Sequence, residues 1–391
     1  MLHLFHLNVT FVTLKCQINF GGKGYGYYKK TNYYFYCYYY CRCYIRQINC
    51  ESYLKLYARW NNIWGKFTMK KEKNRGKIMF IFICILVFIA SFVGSAIFKI
   101  TYQPKWTKKY SVNWNESIGT IHKDISYGDK ESNKFDLYVP KDNSKENYGL
   151  IVYLHAGGFT SGDKSGDTDI LQWLCSKGYV TAGINYTLFN GENDASVYSQ
   201  SIEIKEAIPV VVEKAKKLGY NLNEMVISGG SAGGTLAMLY AYRDAEESPI
   251  PVKMMFEMVG PPSFFAEDWD TYGLDKSNEA AANLFGVMLG SEIDKNIIGT
   301  DELQEVMKPI SAYAWVNENS VPSVIAYGKY DKIAPFKTTR HLVNALEDNN
   351  VDYKYFEAPH SGHGLQNDNK IYKEFMDTVV DYLDKYMPVE K

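Results

Sequence analysis

Two hydrophobic periodicities alternate along the chain from about residue 107 to its end. Short apolar runs have the length of buried strands, and between them apolar positions recur every three or four residues, as in amphipathic helices. The predicted strands cover residues 134–139, 150–154, 180–186, 225–228, 253–258, 323–327 and 353–357. The predicted helices cover residues 169–177, 201–218, 232–243, 335–348 and 369–387. This alternation predicts an α/β domain, a mostly parallel sheet with helices on both faces.

Residues 261–316 interrupt the alternation. Aromatic side chains that look exposed stand there among polar residues: Phe264, Phe265, Trp269, Tyr272 and Phe285. An insertion after a central strand often forms a cap over the site at the end of the sheet, and we expect either such a cap or ordinary surface helices with a few core-facing aromatics.

A long apolar run precedes this domain. Residues 78–98 form an uninterrupted run of 21 uncharged residues, which is long enough to cross a membrane as a helix. The basic segment 69–77 comes before it, so the positive-inside rule predicts a transmembrane signal anchor with residues 1–77 in the cytoplasm and the main domain outside. A cleaved signal peptide, with small residues at 94–96, is the main alternative and would deliver a secreted domain. The lack of a polar face argues against a buried core helix.

Residues 1–68 do not resemble a protein domain. They are rich in tyrosine and cysteine, and neither helical nor strand periodicity persists in them. Met69, by contrast, opens a basic segment followed directly by the apolar run. We therefore interpret residues 1–68 as a disordered low-complexity segment or as upstream sequence that the native protein lacks. Peptide mapping of the native N-terminus tests this hypothesis.

Charge and cysteine content narrow the function classes. The net charge of −1 divides into +12 for residues 1–77 and −13 for the rest, so nucleic acid is not an expected partner. Five of the seven cysteines lie in the first 50 residues, and Cys175 is alone in the main domain, so no disulfide holds that domain together. The clustered cysteines at 37, 41, 43 and 50 contain no C-x-x-C pair and no nearby histidine, and we expect no metal.

A glycine-flanked serine gives the strongest functional signal. Residues 229–233 read Gly-Gly-Ser-Ala-Gly, directly after the apolar run 225–227 and before a helical pattern. Strand, G-x-S-x-G and helix in this order form a nucleophile elbow, a sharp turn that presents the serine hydroxyl at the carboxyl end of the sheet. Ser231 is therefore the candidate nucleophile.

A serine nucleophile also needs oxyanion donors and an acid. Residues 155–159, His-Ala-Gly-Gly-Phe, follow a strand and predict an oxyanion hole from the amides of Gly157, Gly158 and Ala232. A glycine turn without catalytic meaning is the alternative for this loop. Asp331 follows the strand 323–327 and is the candidate acid, or else a plain turn or helix-capping residue. Glu257 and Asp352 are weaker acid candidates, one inside an apolar strand and the other before one.

The general base is expected in residues 358–365, a loop with two histidines after the last predicted strand. His363 is favoured because glycines flank it on both sides, and His360 competes with it. The order Ser231, Asp331, His363 is that of an α/β-hydrolase. His341 lies on a helix face and is interpreted as a surface residue, while His155 is expected to shape the oxyanion loop.

Taken together, the motifs HAGGF, NYTL (residues 185–188), GGSAGG, GKYDKIAP and SGHGL resemble those of the α/β-hydrolase esterases, specifically the hormone-sensitive-lipase and feruloyl-esterase-like branches. The resemblance covers about residues 105–391 and implies a sheet of about eight strands, a Ser-His-Asp triad and no metal or organic cofactor. It implies a carboxylic-ester hydrolase (EC 3.1.1) acting on a small-molecule or polysaccharide-linked ester. A serine peptidase of the same fold and a catalytically silent binding module are the alternatives.

Overall fold

The computed structural model describes residues 75–101 and 109–389, and the chain divides into two units between Ile97 and Phe98. Helix α1 (Arg75–Thr101) begins the described part, and its apolar side chains between residues 79 and 95 are exposed. When only the described residues are considered, none of the helices is long and apolar enough to cross a membrane. The predictions for residues 1–68, for the cysteine cluster within them and for most of the segment 69–77 lie outside the described residues.

The second unit is built on one sheet of eight strands in the order β1-β2-β4-β3-β5-β6-β7-β8. The strands are β1 (Gly119–Ser126), β2 (Lys134–Pro140), β3 (Tyr148–Leu154), β4 (Val180–Ile184), β5 (Leu222–Gly230), β6 (Val252–Met258), β7 (Ser323–Gly328) and β8 (Tyr353–Ala358). β2 is antiparallel to both of its neighbours, and the remaining neighbouring pairs are parallel. The prediction of a mostly parallel sheet is confirmed.

The edge strand β1 is the one strand that the apolar pattern does not predict. Its sequence GTIHKDIS places charged residues among the apolar ones, and most of its residues are partly or fully exposed. A register irregularity between His122 and Ile125 surrounds Asp124, whose φ is 55°. Irregularities and charges are common at sheet edges, where they discourage pairing with other chains, and they erase the apolar run.

Helices cover both faces of the sheet. They are α2 (Thr168–Cys175), α3 (Val197–Lys217), α4 (Ala232–Leu239), α5 (Asn278–Leu289), α6 (Asp301–Met307), α7 (Thr339–Asp348) and α8 (Asn369–Tyr386). On β3, Leu150 and Val152 belong to the same buried cluster as residues of α3, α4, α5 and α7, whereas Ile151 belongs to a cluster with residues of α2 and α8. Successive strand side chains point to opposite faces, so this division follows directly from the backbone.

The insertion of residues 261–316 contains α5, α6 and several short 3₁₀ turns. Three of the aromatic side chains that look exposed in the sequence face the core instead, as the alternative of core-facing aromatics expects. Phe264, Trp269 and Phe285 are buried at 0%, 2% and 0% exposure, with ring centroids 5.5 to 6.1 Å apart. Burying three aromatic rings together removes a large apolar area from water, and this outweighs the polar surroundings in sequence. Tyr272 remains exposed at 48%.

The strand order defines the edge of the sheet at which functional residues can meet. β3 leads to β4 on one side, and β5 returns to the other side of β3, so the direction of winding reverses between β3 and β5. Ligands in such sheets bind outside the carboxyl ends of the strands at this reversal point. The carboxyl ends of β3, β5, β7 and β8 are followed by the four loops that the sequence marks as functional.

Candidate active site

Ser231 lies in the turn between β5 and α4, with φ 52° and ψ −121°. A backbone with positive φ costs a non-glycine residue about 1–3 kcal/mol and persists only where the surroundings impose it. Here the amide of Ser231 donates to the carbonyl of Met258 at 2.8 Å, and Thr235 donates back to the carbonyl of Ser231 at 3.1 Å. The strained turn directs the hydroxyl away from the sheet, as an elbow requires.

The glycines around Ser231 are required by close packing. A Cβ built on Gly229 would lie 2.4 Å from the carbonyl carbon of Gly233, and one built on Gly233 would lie 2.0 Å from the carbonyl oxygen of Leu154. Both contacts involve backbone atoms, which cannot move aside as a flexible side chain can. The G-x-S-x-G spacing therefore lets strand β5, helix α4 and the end of β3 approach one another.

Replacing Gly233 with alanine is expected to displace the elbow and to lower both stability and activity. Overpacking of this kind typically costs about 1–3 kcal/mol, and contact with backbone places this site at the upper end. Thermal unfolding of Gly233→Ala and of Gly166→Ala provides the measurement, since a Cβ built on Gly166 would have no atom within 4 Å apart from those of its chain neighbours and its own helix backbone. Equal melting temperatures for the two variants would contradict the packing argument.

The loop after β3 carries the predicted oxyanion donors. Gly157, Gly158 and Phe159 all have positive φ, at 143°, 59° and 66°. No backbone hydrogen bond within residues 109–389 uses the N–H of Gly157 or Gly158 as a donor. Ala232 is the first residue of α4, so its N–H has no acceptor within that helix. These three amides therefore keep their N–H groups available at the reversal point of the sheet.

His363 connects the serine to a carboxylate. Its Nε2 lies 2.8 Å from Ser231 Oγ, and its Nδ1 lies 2.7 Å from Asp331 Oδ2. The Asp331 side chain is fully buried, whereas that of His363 is 21% exposed. The other oxygen of Asp331 accepts hydrogen bonds from the amides of Ile333 at 2.9 Å and Ala334 at 3.1 Å. The carboxylate is thus held in place by backbone donors that the sequence pattern does not reveal.

The competing histidine has its own carboxylate. His360 Nδ1 lies 2.8 Å from Asp368 Oδ1, and its side chain is 59% exposed. Asp368 also accepts from the amide of His360 and from the hydroxyl of Ser361. The pair resembles His363 and Asp331 in distance, but among the described residues no hydrogen bond links His360 to a serine nucleophile. The structure thus brings His363, and not His360, to Ser231.

The remaining histidine candidates lie elsewhere. His341 Nε2 is 2.7 Å from the buried carboxylate of Asp268, and its ring stacks on Phe265 at 3.9 Å. His155 is 2% exposed and stacks on Tyr186 at 4.3 Å, and burial lowers the pKa of His155 below its usual range.

The weaker acid candidate Asp352 lies before β8 and accepts hydrogen bonds from Tyr382 and Tyr386. No group of metal-ligating side chains is found among the described residues.

Glu257 is buried beneath the elbow. Its Oε2 accepts from the amide of Gly260 at 2.8 Å and would lie 2.8 Å from a Cβ on Gly234, while its Oε1 is buried without a partner in the described structure. Burial raises the pKa of Glu257 to about 8. The side chain therefore carries a proton at neutral pH and acts as a neutral packing group, consistent with its position inside an apolar strand.

The raised pKa of Glu257 makes the free energy of unfolding depend on pH. Between pH 4.5 and 8 the folded chain keeps the Glu257 proton and the unfolded chain loses it, so this group makes stability fall as pH rises, by at most about 1.4 kcal/mol per pH unit. Glu257→Gln removes this dependence. Its stability relative to the parent, measured by urea unfolding, is expected to increase from pH 5 to pH 8. The exposed Glu246→Gln serves as control, and a constant difference for Glu257→Gln would contradict the assignment.

A serine after β5, a carboxylate after β7 and a histidine after β8, on a sheet of this order, define the α/β-hydrolase fold. The model of one family of this fold, BD-FAE, matches residues 135–346, which is more than half of the chain. The chain belongs to the BD-FAE family.

Individual relatives are more distant. The chain is similar to the esterase LipC of Mycobacterium tuberculosis, with 23% identity over 252 residues, 62% of this chain and 59% of LipC. Among solved structures it is similar to a truncated carbohydrate esterase from gut microbiota, with a TM-score of 0.55, 18% identity and coverage of 69% of this chain and 98% of that one. It is also similar to the esterase Est2 of Thermogutta terrifontis, with a TM-score of 0.54, 20% identity and coverage of 68% and 92%. At these identities the structures establish the fold.

Proposed function

We propose that the protein is a serine carboxylic-ester hydrolase that works through an acyl-enzyme intermediate. The observation that carries this proposal is the pair of contacts made by His363, 2.8 Å from Ser231 Oγ and 2.7 Å from Asp331 Oδ2. An imidazole between a hydroxyl and a buried carboxylate is the arrangement that activates a serine for acyl transfer. Membership of the BD-FAE family and similarity to proteins named as esterases support the same activity.

In the proposed reaction, Ser231 Oγ attacks the ester carbonyl while His363 Nε2 takes its proton. Asp331 accepts the Nδ1–H of His363, fixes the tautomer and stabilises the imidazolium. The amides of Gly157, Gly158 and Ala232 hold the negative oxygen of the tetrahedral intermediate. His363 then gives its proton to the leaving alcohol, and a water molecule, activated by the same base, hydrolyses the acyl-enzyme and restores the serine.

The substrate is proposed to be a small-molecule or polysaccharide-linked ester. One of the similar structures is that of a carbohydrate esterase, which supports the polysaccharide-linked class. The experiment compares the full chain on p-nitrophenyl esters of increasing acyl length and on aminoacyl p-nitroanilides. Hydrolysis of short esters with little action on the amides supports the proposal. Faster cleavage of the amides would instead identify a peptidase, and hydrolysis of neither would leave a silent binding module.

We also propose that the α/β-hydrolase unit is tethered to the cell membrane through residues 78–98 and lies on the outer side of the membrane. The 21 uncharged residues and the basic segment before them in the sequence support this location. Membrane fractions washed with alkaline carbonate should retain the full chain. A soluble product whose N-terminus lies just after residues 94–96 would indicate a cleaved signal peptide instead.

A further inference from the structure

The geometry points to Gln200 as a positioning residue for the oxyanion loop, acting through the carbonyl of Phe159. This inference rests on the proposed function, because it concerns the loop that carries Gly157 and Gly158. Gln200 lies in the first turn of α3 and is 0% exposed. No sequence motif marks it, and it does not contact Ser231, His363 or Asp331 by any hydrogen bond in the described structure.

The side-chain amide of Gln200 joins two loops. Its Nε2 donates to the carbonyl of Phe159 at 2.9 Å and to the carbonyl of Thr187 at 2.8 Å. Both partners are carbonyl acceptors, so the NH₂ group, which carries two donors, must face them. Its Oε1 is then left buried without a partner within residues 109–389. An unpaired buried acceptor costs about 1–3 kcal/mol, so the orientation is retained for the two bonds that it makes.

The loop that Gln200 holds is strained. Phe159 has a φ of 66°, the left-handed region that a bulky side chain seldom adopts. Its carbonyl accepts a second hydrogen bond, from the amide of Phe189 at 3.0 Å. On the other side of the turn, the carbonyl of Gly157 accepts from the amides of Thr160 and Ser161. The internal anchor, the carbonyl of Gly157, thus belongs to the peptide unit that bears the N–H of Gly158, and the anchor to α3 lies two residues further along the same loop.

Thr187, in the NYTL motif, is the second point of attachment. Glu203, one turn further along α3, accepts from the amide of Thr187 at 2.7 Å and from its hydroxyl at 2.8 Å. Lys130 pairs with the same carboxylate at 2.8 Å. Residues three apart on a helix share a face, so Gln200 and Glu203 hold Thr187 together. The NYTL segment thus has a structural role. Its Thr187 is bonded to the same face of α3 as the oxyanion loop and helps to hold Gln200 in position.

Removing the donors while keeping the shape tests the inference. In Gln200→Met the full chain is expected to lose about 10- to 100-fold in kcat on p-nitrophenyl acetate with little change in KM, because small displacements of oxyanion donors act mainly in the transition state. A trifluoromethyl ketone, whose hemiketal adduct carries an oxyanion, should lose affinity by the same factor as kcat/KM. Gln172→Met, on the half-buried face of α2, is the matched control.

Other outcomes are informative. If kcat and ketone affinity of Gln200→Met stay within twofold of the parent, or if the loss lies in KM alone, the positioning role is wrong. Should Gln200→Met fail to fold, Gln200→Leu decides by the same two ratios, since its side chain is also apolar and carries no donor for either carbonyl. Failure of the proposed function would look different: the parent itself would hydrolyse no ester and bind no ketone.

Discussion

Replacing Ser231 with alanine is expected to reduce kcat on p-nitrophenyl acetate by roughly 10⁶-fold. The hydroxyl oxygen is the atom that forms the acyl-enzyme, and it lies 2.8 Å from the Nε2 of His363. Its removal deletes one hydrogen bond at a partly exposed position, so the melting temperature should change little. The measurement is steady-state turnover beside thermal unfolding of the same preparation.

Ser228→Ala is the control for this prediction. Ser228 is buried three residues earlier on β5, and its hydroxyl donates to the carbonyl of Val152 at 2.9 Å. Its loss should lower stability by about 1 kcal/mol and leave kcat near the parent value. Ser231→Ala is therefore expected to lose turnover but keep its stability, and Ser228→Ala to lose stability but keep its turnover. Retention of most activity by Ser231→Ala would show that hydrolysis takes place elsewhere on the chain.

The second large effect concerns the two histidines of the loop after β8. His363→Ala is expected to lower kcat by roughly 10⁶-fold, as loss of the base in a triad typically does, and Asp331→Asn by about 10⁴-fold. His360→Ala should stay within a few-fold of the parent, because His360 faces solvent and pairs with Asp368. Parallel kcat measurements on the three variants test this.

Equal losses in His360→Ala and His363→Ala would contradict the assignment of His363 as the base. A loss in His360→Ala accompanied by a lower melting temperature would have a different cause. The carboxylate of Asp368 accepts from both the amide and the ring of His360 and therefore orders the loop. Measuring kcat well below the melting temperature of each variant separates the two effects.

The sheet could be predicted from the sequence where strands are buried. The seven predicted strands coincide with β2 to β8 to within a few residues, and the central strands β3 to β7 do so because buried parallel strands are nearly continuous apolar runs. β1 was not predicted, because it is an exposed edge strand in which charged residues interrupt the apolar positions. Helix α3 begins at Val197, earlier than predicted, because its cap is a reciprocal pair formed by Ser196 and Ser199 instead of the more recognisable serine and glutamate.

The candidate site was predictable as far as its motifs are local. Ser231 and the glycines of the elbow lie within one short segment, and the order of the loops restricts the acid and the base. The flanking glycines favour His363 over His360, but both histidines have an aspartate partner, and it is the folded sheet that places His363 beside Ser231. Gln200 is marked by no motif, because its partners Phe159 and Thr187 are distant in sequence. Glu257 appears in the sequence only as a weaker acid candidate, because its burial beneath the elbow depends on the folded sheet.

The most direct test of the account is the stoichiometry and site of covalent labelling by a p-nitrophenyl alkylphosphonate, followed by intact-mass and peptide mass spectrometry. We predict one adduct per parent chain, located on the peptide that contains Ser231, with release of one equivalent of p-nitrophenol. Ser231→Ala should remain unlabelled, and His363→Ala should react far more slowly. Labelling of Ser231→Ala at the parent rate, or no adduct on the active parent chain, would contradict a nucleophilic Ser231.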